Sequence, residues 1–215
     1  MEPILLYFVL FFPGIYTSPF SVALAQAESI PFSILRELSR TLTYTIPSLA
    51  LLWYLISDKK GFSALYDELK PKKSDAFPFI MGLPCLIIIG LFISLMVSLF
   101  SKYFGLTPAP IVEGPASIPG ILVMAFSCLC TGYLEESYFR YYLLIRLENI
   151  VSRKPVRIVI STVLFSLCHI YEGPWGIMNA LLAGILLSVL FIRFRSLHGI
   201  ALAHGAYNIF VYLMG

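Results

Sequence analysis

Apolar stretches separated by short polar ones run the length of this chain. A helix that crosses a bilayer needs about 20 mostly apolar residues. Seven stretches are read as such helices: 4–27, 41–56, 77–100, 120–147, 158–170, 175–194 and 199–214. Pro13-Gly14 and Pro19 predict a kink in the first. Residues 28–40 read as a more polar, partly helical link and 58–75 as a mixed-charge loop, while 101–119, rich in Pro and Gly and nearly uncharged, reads as a loop capping one membrane face. Gly173-Pro174 predicts a tight turn before the sixth stretch. The expected fold is therefore all-α: a polytopic transmembrane helix bundle of about seven spanning helices. Residues 1–119 would supply accessory helices and 120–215 the functional core.

Composition supports this pattern. Of the 215 residues, 59% are hydrophobic and only 13% charged, and the mean hydropathy is +0.86. Soluble domains carry roughly 25% charged residues, so that class is excluded. Met1-Glu2-Pro3 leads into apolar sequence without a basic segment, so the first stretch is expected to be a retained helix. Cys85, Cys128, Cys130 and Cys168 all lie in apolar stretches and read as free buried thiols. The chain has no CxxC pair and no HExxH, the usual zinc spacings.

The formal net charge of +3 matters less than where the basic residues fall. With the N-terminus inside, the inner loops hold Lys59, Lys60, Lys70, Lys72, Lys73, Arg146, Arg153, Lys154, Arg157, Arg193 and Arg195, and the outer loops only Arg36, Arg40 and Lys102. Cytoplasmic loops carry such an excess, which predicts a multi-pass protein of the cell membrane, N-terminus inside. The run from Lys70 to Lys73 reads as an orientation signal beside anionic lipid heads. Membrane lipids are thus expected partners and nucleic acid is not; oligomeric state is not legible.

Against this apolar background stands Gly132-Tyr133-Leu134-Glu135-Glu136-Ser137-Tyr138-Phe139-Arg140. A charged side chain at the centre of a spanning helix costs roughly 2.5 to 3.5 kcal/mol, so three need partners. Ionisable residues inside a membrane are functional-site candidates for that reason. Glu136 and Arg140, four apart, share a helix face and can pair, while Glu135 points about 100° away. At 1.5 Å per residue, Glu135 lies roughly 16 Å from Arg146, His169 roughly 18 Å from Arg157, and His204 and Asn208 roughly 13 and 20 Å from Arg195. Four polar groups on three helices thus share one depth. Phe165, four before His169, can pack under its imidazole. Gly176, Ala180 and Gly184 form a small-residue stripe that permits close helix approach. The bland alternatives are a structural ion pair for Glu136 and Arg140, and interhelical hydrogen bonding for His169, His204 and Asn208. A Glu–His proton relay is a further alternative.

The motifs Glu135-Glu136-x-x-x-Arg140, Phe165-x-x-x-His169 and His204-x-x-x-Asn208, in that order, resemble those of the type 2 CAAX prenyl endopeptidases, also called the Abi or CPBP family of CAAX proteases and bacteriocin-processing enzymes. The resemblance implies a glutamate-dependent intramembrane protease acting on a membrane-associated peptide. It implies that Glu135 activates water with His169 sharing the base role, that His204 and Asn208 bind the developing oxyanion, and that Glu136, Arg140 and Phe165 support the geometry. No cofactor is implied; zinc on Glu135, His169 and His204 ranks below the metal-free reading. A silent scaffold or bacteriocin-immunity protein of the same fold is the alternative. The short chain resembles the prokaryotic branch, which favours a leader or other small peptide as substrate.

Overall fold

A computed structural model of the protein describes residues 2–16, 29–105 and 111–214. The expected continuation of the first helix over 17–27 and the loop segment 106–110 lie outside the described residues. Within them the chain forms α1 (Glu2–Tyr16), α2 (34–60), α3 (Phe62–Leu69), α4 (Ala76–Phe104), α5 (Ile118–Glu148), α6 (Lys154–Leu167), α7 (Gly173–Phe194) and α8 (Leu197–Met214). A two-residue parallel pair, Ser29 with Ile111 and Ile30 with Val112, ties the lead-in of α2 to that of α5, and Ser29 Oγ donates to Glu113 Oε1 at 2.8 Å.

The all-α membrane bundle is the observed class. Among the described residues three helices are long and apolar enough to cross a bilayer: the one that includes α4, α5, and the one that includes α7. The other expected stretches depart from a plain span for identifiable reasons. The helical part of the link 28–40 is residues 34–40: Ser33 caps it by accepting from the Arg36 amide at 3.4 Å, so Arg36, Glu37 and Arg40 belong to α2. The expected loop 58–75 contains the end of α2 and all of α3. Helix α6 starts earlier than expected, with Pro155 in its first turn, where a missing N–H costs nothing. It ends earlier too, because the Cys168 amide turns to the Phe165 carbonyl at 3.1 Å and that of His169 to Ser166 at 3.0 Å.

Helix α5 is the axis of the bundle. Its first turn is capped by Ser117, whose Oγ accepts from the Gly120 amide at 3.2 Å, and carries Pro119. Over Ser137–Leu144 it widens into a π-helical stretch in which every residue is buried. Such turns are rare and frequent at functional sites. Helix α8 lies directly along α5: a Cβ on Gly132 would stand 2.8 Å from the Ala201 carbonyl oxygen, and one on Gly205 3.0 Å from the Leu129 Cα. Only hydrogen fits at this crossing. On the other side, Tyr7 and Phe11 of α1 pack on Tyr138 and Phe139 of α5 with ring centroids 5.0 to 6.4 Å apart. Helix α4 turns Ile80, Ile88, Leu91, Leu95 and Leu99 outward, as a lipid-facing surface requires.

The basic loops gather at one end. There Lys59 bonds Glu2, Lys60 lies 2.8 Å from Glu68, Arg157 lies 3.0 Å from Glu148, and Arg195 shares that same carboxylate. The four cysteines are free thiols, two buried and two half-buried.

Candidate active site

Glu135, Glu136, Arg140, Phe165, His169 and His204, singled out along α5, α6 and α8, converge. Glu136 and Arg140 are both 0% exposed, and Arg140 Nη1 donates to Glu136 Oε1 at 3.0 Å. Complete burial makes the pair obligatory, since a lone buried charge is strongly destabilising. The Arg140 Nη2 reaches the Gly184 carbonyl at 3.3 Å. That approach depends on the small-residue stripe of α7: a Cβ on Gly184 would meet Thr162 at 3.0 Å and Phe165 at 3.2 Å.

His204 of α8 stands between the two glutamates. Its Nδ1 lies 2.8 Å from Glu136 Oε1 and its Nε2 3.5 Å from Glu135 Oε2. Glu136 Oε1 already accepts from Arg140, so it acts as a carboxylate and Nδ1 carries the hydrogen. The nitrogen that faces Glu135 is therefore Nε2. Glu135 is half-buried, unlike its neighbour. Of the two adjacent carboxylates, one is sealed in and holds the imidazole, and the other is accessible.

Phe165 joins the rest. Its ring carries the Arg140 guanidinium carbon 4.4 Å above it, the His169 ring at 4.7 Å and the His204 ring at 5.9 Å. The packing of Phe165 under His169 follows the four-residue spacing; its contacts with Arg140 and His204 cross between helices. His169 is held by the hydrogen bond between its Nδ1 and the Phe165 carbonyl at 3.0 Å. Its Nε2 makes no hydrogen bond among the described residues. Asn208 lies one turn beyond His204, half-buried. Its neighbour Tyr207 donates to Asn179 Oδ1 at 3.3 Å.

The turn that carries His169 is finished by a distant helix. Because the Cys168 amide bonds Phe165, the Leu164 carbonyl loses its helical donor. Tyr7 of α1 supplies one, its hydroxyl lying 3.1 Å from that oxygen, and Cys168 Sγ reaches it at 3.4 Å. Nothing at sequence level marks Tyr7 for this task.

A second polar cluster, also not singled out from sequence, joins α2 to α5. Buried Glu37 accepts from Arg40 at 2.8 Å and from Ser127 Oγ at 3.1 Å, and Thr41 Oγ1 lies 3.0 Å from Ser127 Oγ. Arg40 was expected in an outer loop; half-exposed, it lies on α2 and also donates to Ser127 at 2.9 Å. The i, i+3 spacing of Glu37 and Arg40 was the available signal. His198, also unassigned from sequence, bridges Tyr133 Oη at 2.9 Å and the Leu69 carbonyl at 2.6 Å.

Among the described residues no three His, Cys, Asp or Glu side chains are arranged to hold a metal ion. Both nitrogens of His204 face carboxylates, and Nδ1 of His169 faces a backbone carbonyl. What the cluster can do is move protons: a reachable carboxylate, an imidazole oriented from behind, and a second imidazole with an unengaged nitrogen.

No curated protein and no solved structure matches the chain. The family described as type II CAAX prenyl endopeptidase, Rce1-like, matches residues 117–210. The match begins at the cap of α5, ends just past Asn208 and takes in Glu135, Glu136, Arg140, Phe165, His169 and His204. Residues 117–210 thus match the Rce1-like type II CAAX prenyl endopeptidase family, within an all-helical chain whose longest helices are apolar enough to cross a membrane.

Proposed function

We propose that this protein is an integral membrane endopeptidase that hydrolyses a peptide bond in a membrane-associated peptide, with Glu135 as the group that activates water. The observation that supports it most is the division of labour between adjacent carboxylates: Glu136 is buried and bonded to Arg140 and His204, while Glu135 stays reachable opposite His204 Nε2.

Those positions support the following reaction. Glu135 removes a proton from water as the oxygen attacks the scissile carbonyl carbon, and His169 shares that task through its unengaged nitrogen. Negative charge grows on the carbonyl oxygen, where donors placed in advance stabilise it. His204, held as an imidazolium between two carboxylates, donates through Nε2–H, and the Asn208 amide is the other donor. As the C–N bond breaks, the proton held by Glu135 passes to the departing nitrogen. Glu136 fixes the orientation of His204, and Arg140 and Phe165 fix Glu136 and both rings. The substrate is a leader or other small peptide held at the membrane, the N-terminus of the enzyme is inside, and zinc takes no part.

The test is cleavage by the protein reconstituted in vesicles, with peptide profiling of membranes to find the substrate. Glu135→Gln should abolish cleavage while the protein still folds; full activity in that variant ends the proposal. Asn208→Ala should slow cleavage by roughly 10²- to 10³-fold. Strong chelators should leave the rate unchanged, and inhibition reversed by added zinc would restore the metal reading.

A further inference from the structure

The start of α6 and the end of α7 meet at the basic end of the bundle, and a groove of about 400 Å³ opens between them, lined by Lys154, Ile158, Val189, Ile192 and Arg193. We propose that this groove binds one anionic phospholipid, its phosphate between Lys154 and Arg193 and the top of an acyl chain on the aliphatic floor.

The charge balance at this corner favours an anion. The nearby carboxylate is Glu148, and it already bonds Arg157 at 3.0 Å and also Arg195. Among the described residues no acidic side chain pairs with Lys154 or Arg193, and both are exposed. The Arg193 guanidinium carbon lies 5.5 Å from the Phe194 ring centroid, which leaves its donors to outside acceptors.

The order of residues along the two helices favours a lipid over a free anion. Helices α6 and α7 run antiparallel, so moving inward from the end means counting up on one and down on the other. On both, the cation comes first and an aliphatic side chain follows one turn deeper: Lys154 then Ile158, Arg193 then Val189. One turn is about 5.4 Å. Exposed Val159 and Val163 on α6, and Ile185 and Leu182 on α7, continue the apolar surface. A phosphate alone would use the cations and leave this floor idle. An anionic phospholipid fills both parts, and basic pockets between helices on the cytoplasmic side bind such headgroups.

The test does not depend on catalysis. The protein is placed in phosphatidylcholine nanodiscs doped with phosphatidylglycerol, and retained lipid is counted by native mass spectrometry after release. The wild type should keep one phosphatidylglycerol. Lys154→Gln/Arg193→Gln should weaken retention about thirtyfold, the product of two interfacial charges. Lys72→Gln/Lys73→Gln, the same loss of charge at the same end, should change it less than threefold. Val189→Trp, which fills the groove and keeps both cations, should lose the lipid as well. Equal losses in the two double variants, no retained lipid in the wild type, full retention by Val189→Trp, or displacement by millimolar inorganic phosphate would each overturn the proposal.

Discussion

Arg140 carries three contacts on one planar group: Glu136 at 3.0 Å, the Gly184 carbonyl at 3.3 Å and the face of Phe165 at 4.4 Å. A lysine ammonium is a point donor and cannot reproduce them together. Arg140→Ala should therefore destabilise the protein by about 3–5 kcal/mol, and Arg140→Lys should recover only part of that, as read from thermal unfolding in detergent. Tyr7→Phe removes a single hydroxyl from the Leu164 carbonyl, which keeps Cys168 Sγ, and should cost about 0.5–1.5 kcal/mol. Because that carbonyl sits in the turn carrying His169, turnover should fall in Tyr7→Phe at a temperature where the protein is fully folded; unchanged turnover would mean that the hydroxyl serves stability alone. At this scale the motifs were legible in sequence: a carboxylate, an imidazole or an arginine inside an apolar run stands out by its cost. What was not legible was who meets whom. Sequence spacing pairs Glu136 with Arg140 and Phe165 with His169, each within one helix. The insertion of His204 between Glu135 and Glu136 depends on the relative height and rotation of two helices about 68 residues apart, and no local rule sets those.

Helix α5 holds the site by two unusual features. One is its contact with α8, where Gly132 and Gly205 face each other's backbones. Gly205→Val must push the helices apart, and His204 moves with α8. A misplacement of 1 Å can cost about 10²-fold in rate, so cleavage should drop at least that much in Gly205→Val even in preparations that remain folded by circular dichroism. Wild-type rates in that variant would show that the crossing does not set the catalytic geometry. The other is the wide turn over Ser137–Leu144, fully buried between α1, α6 and α7. The periodicity of apolar residues predicts helix here but is blind to a local change of pitch. Helix identities were readable from hydropathy for α4, α5 and α7. They were harder for α2, where a polar start hides helical residues 34–40, and for α6, whose 14 residues stop where backbone hydrogen bonds shorten into the turn before α7.

Considered whole, the molecule has two chemically different ends. The basic end collects Glu2, Lys59, Lys60, Glu68, Glu148, Arg157 and Arg195 in ion pairs; the opposite end holds the strand pair, Glu113 and the Glu37–Arg40–Ser127 cluster. Cysteines introduced as Ser74→Cys and Ser152→Cys should be labelled by an impermeant reagent from one side of a sealed membrane, and Glu113→Cys from the other. Labelling of all three from one side would refute the orientation inferred from charge. The end-to-end asymmetry was legible in sequence, because it is a matter of counting lysines and arginines. The place of α1 was not. Its backbone and side chains are held by residues translated much later: Tyr138 bonds the Pro3 carbonyl, Tyr142 bonds Glu2, and Tyr7 bonds Leu164, at sequence separations of 135, 140 and 157 residues. At roughly 5–20 residues per second, α1 waits on the order of ten seconds or more for its seat. During that interval it must be sheltered by lipid or by the insertion machinery, and a nascent chain arrested before residue 164 should leave it open to protease and to crosslinking with translocon components.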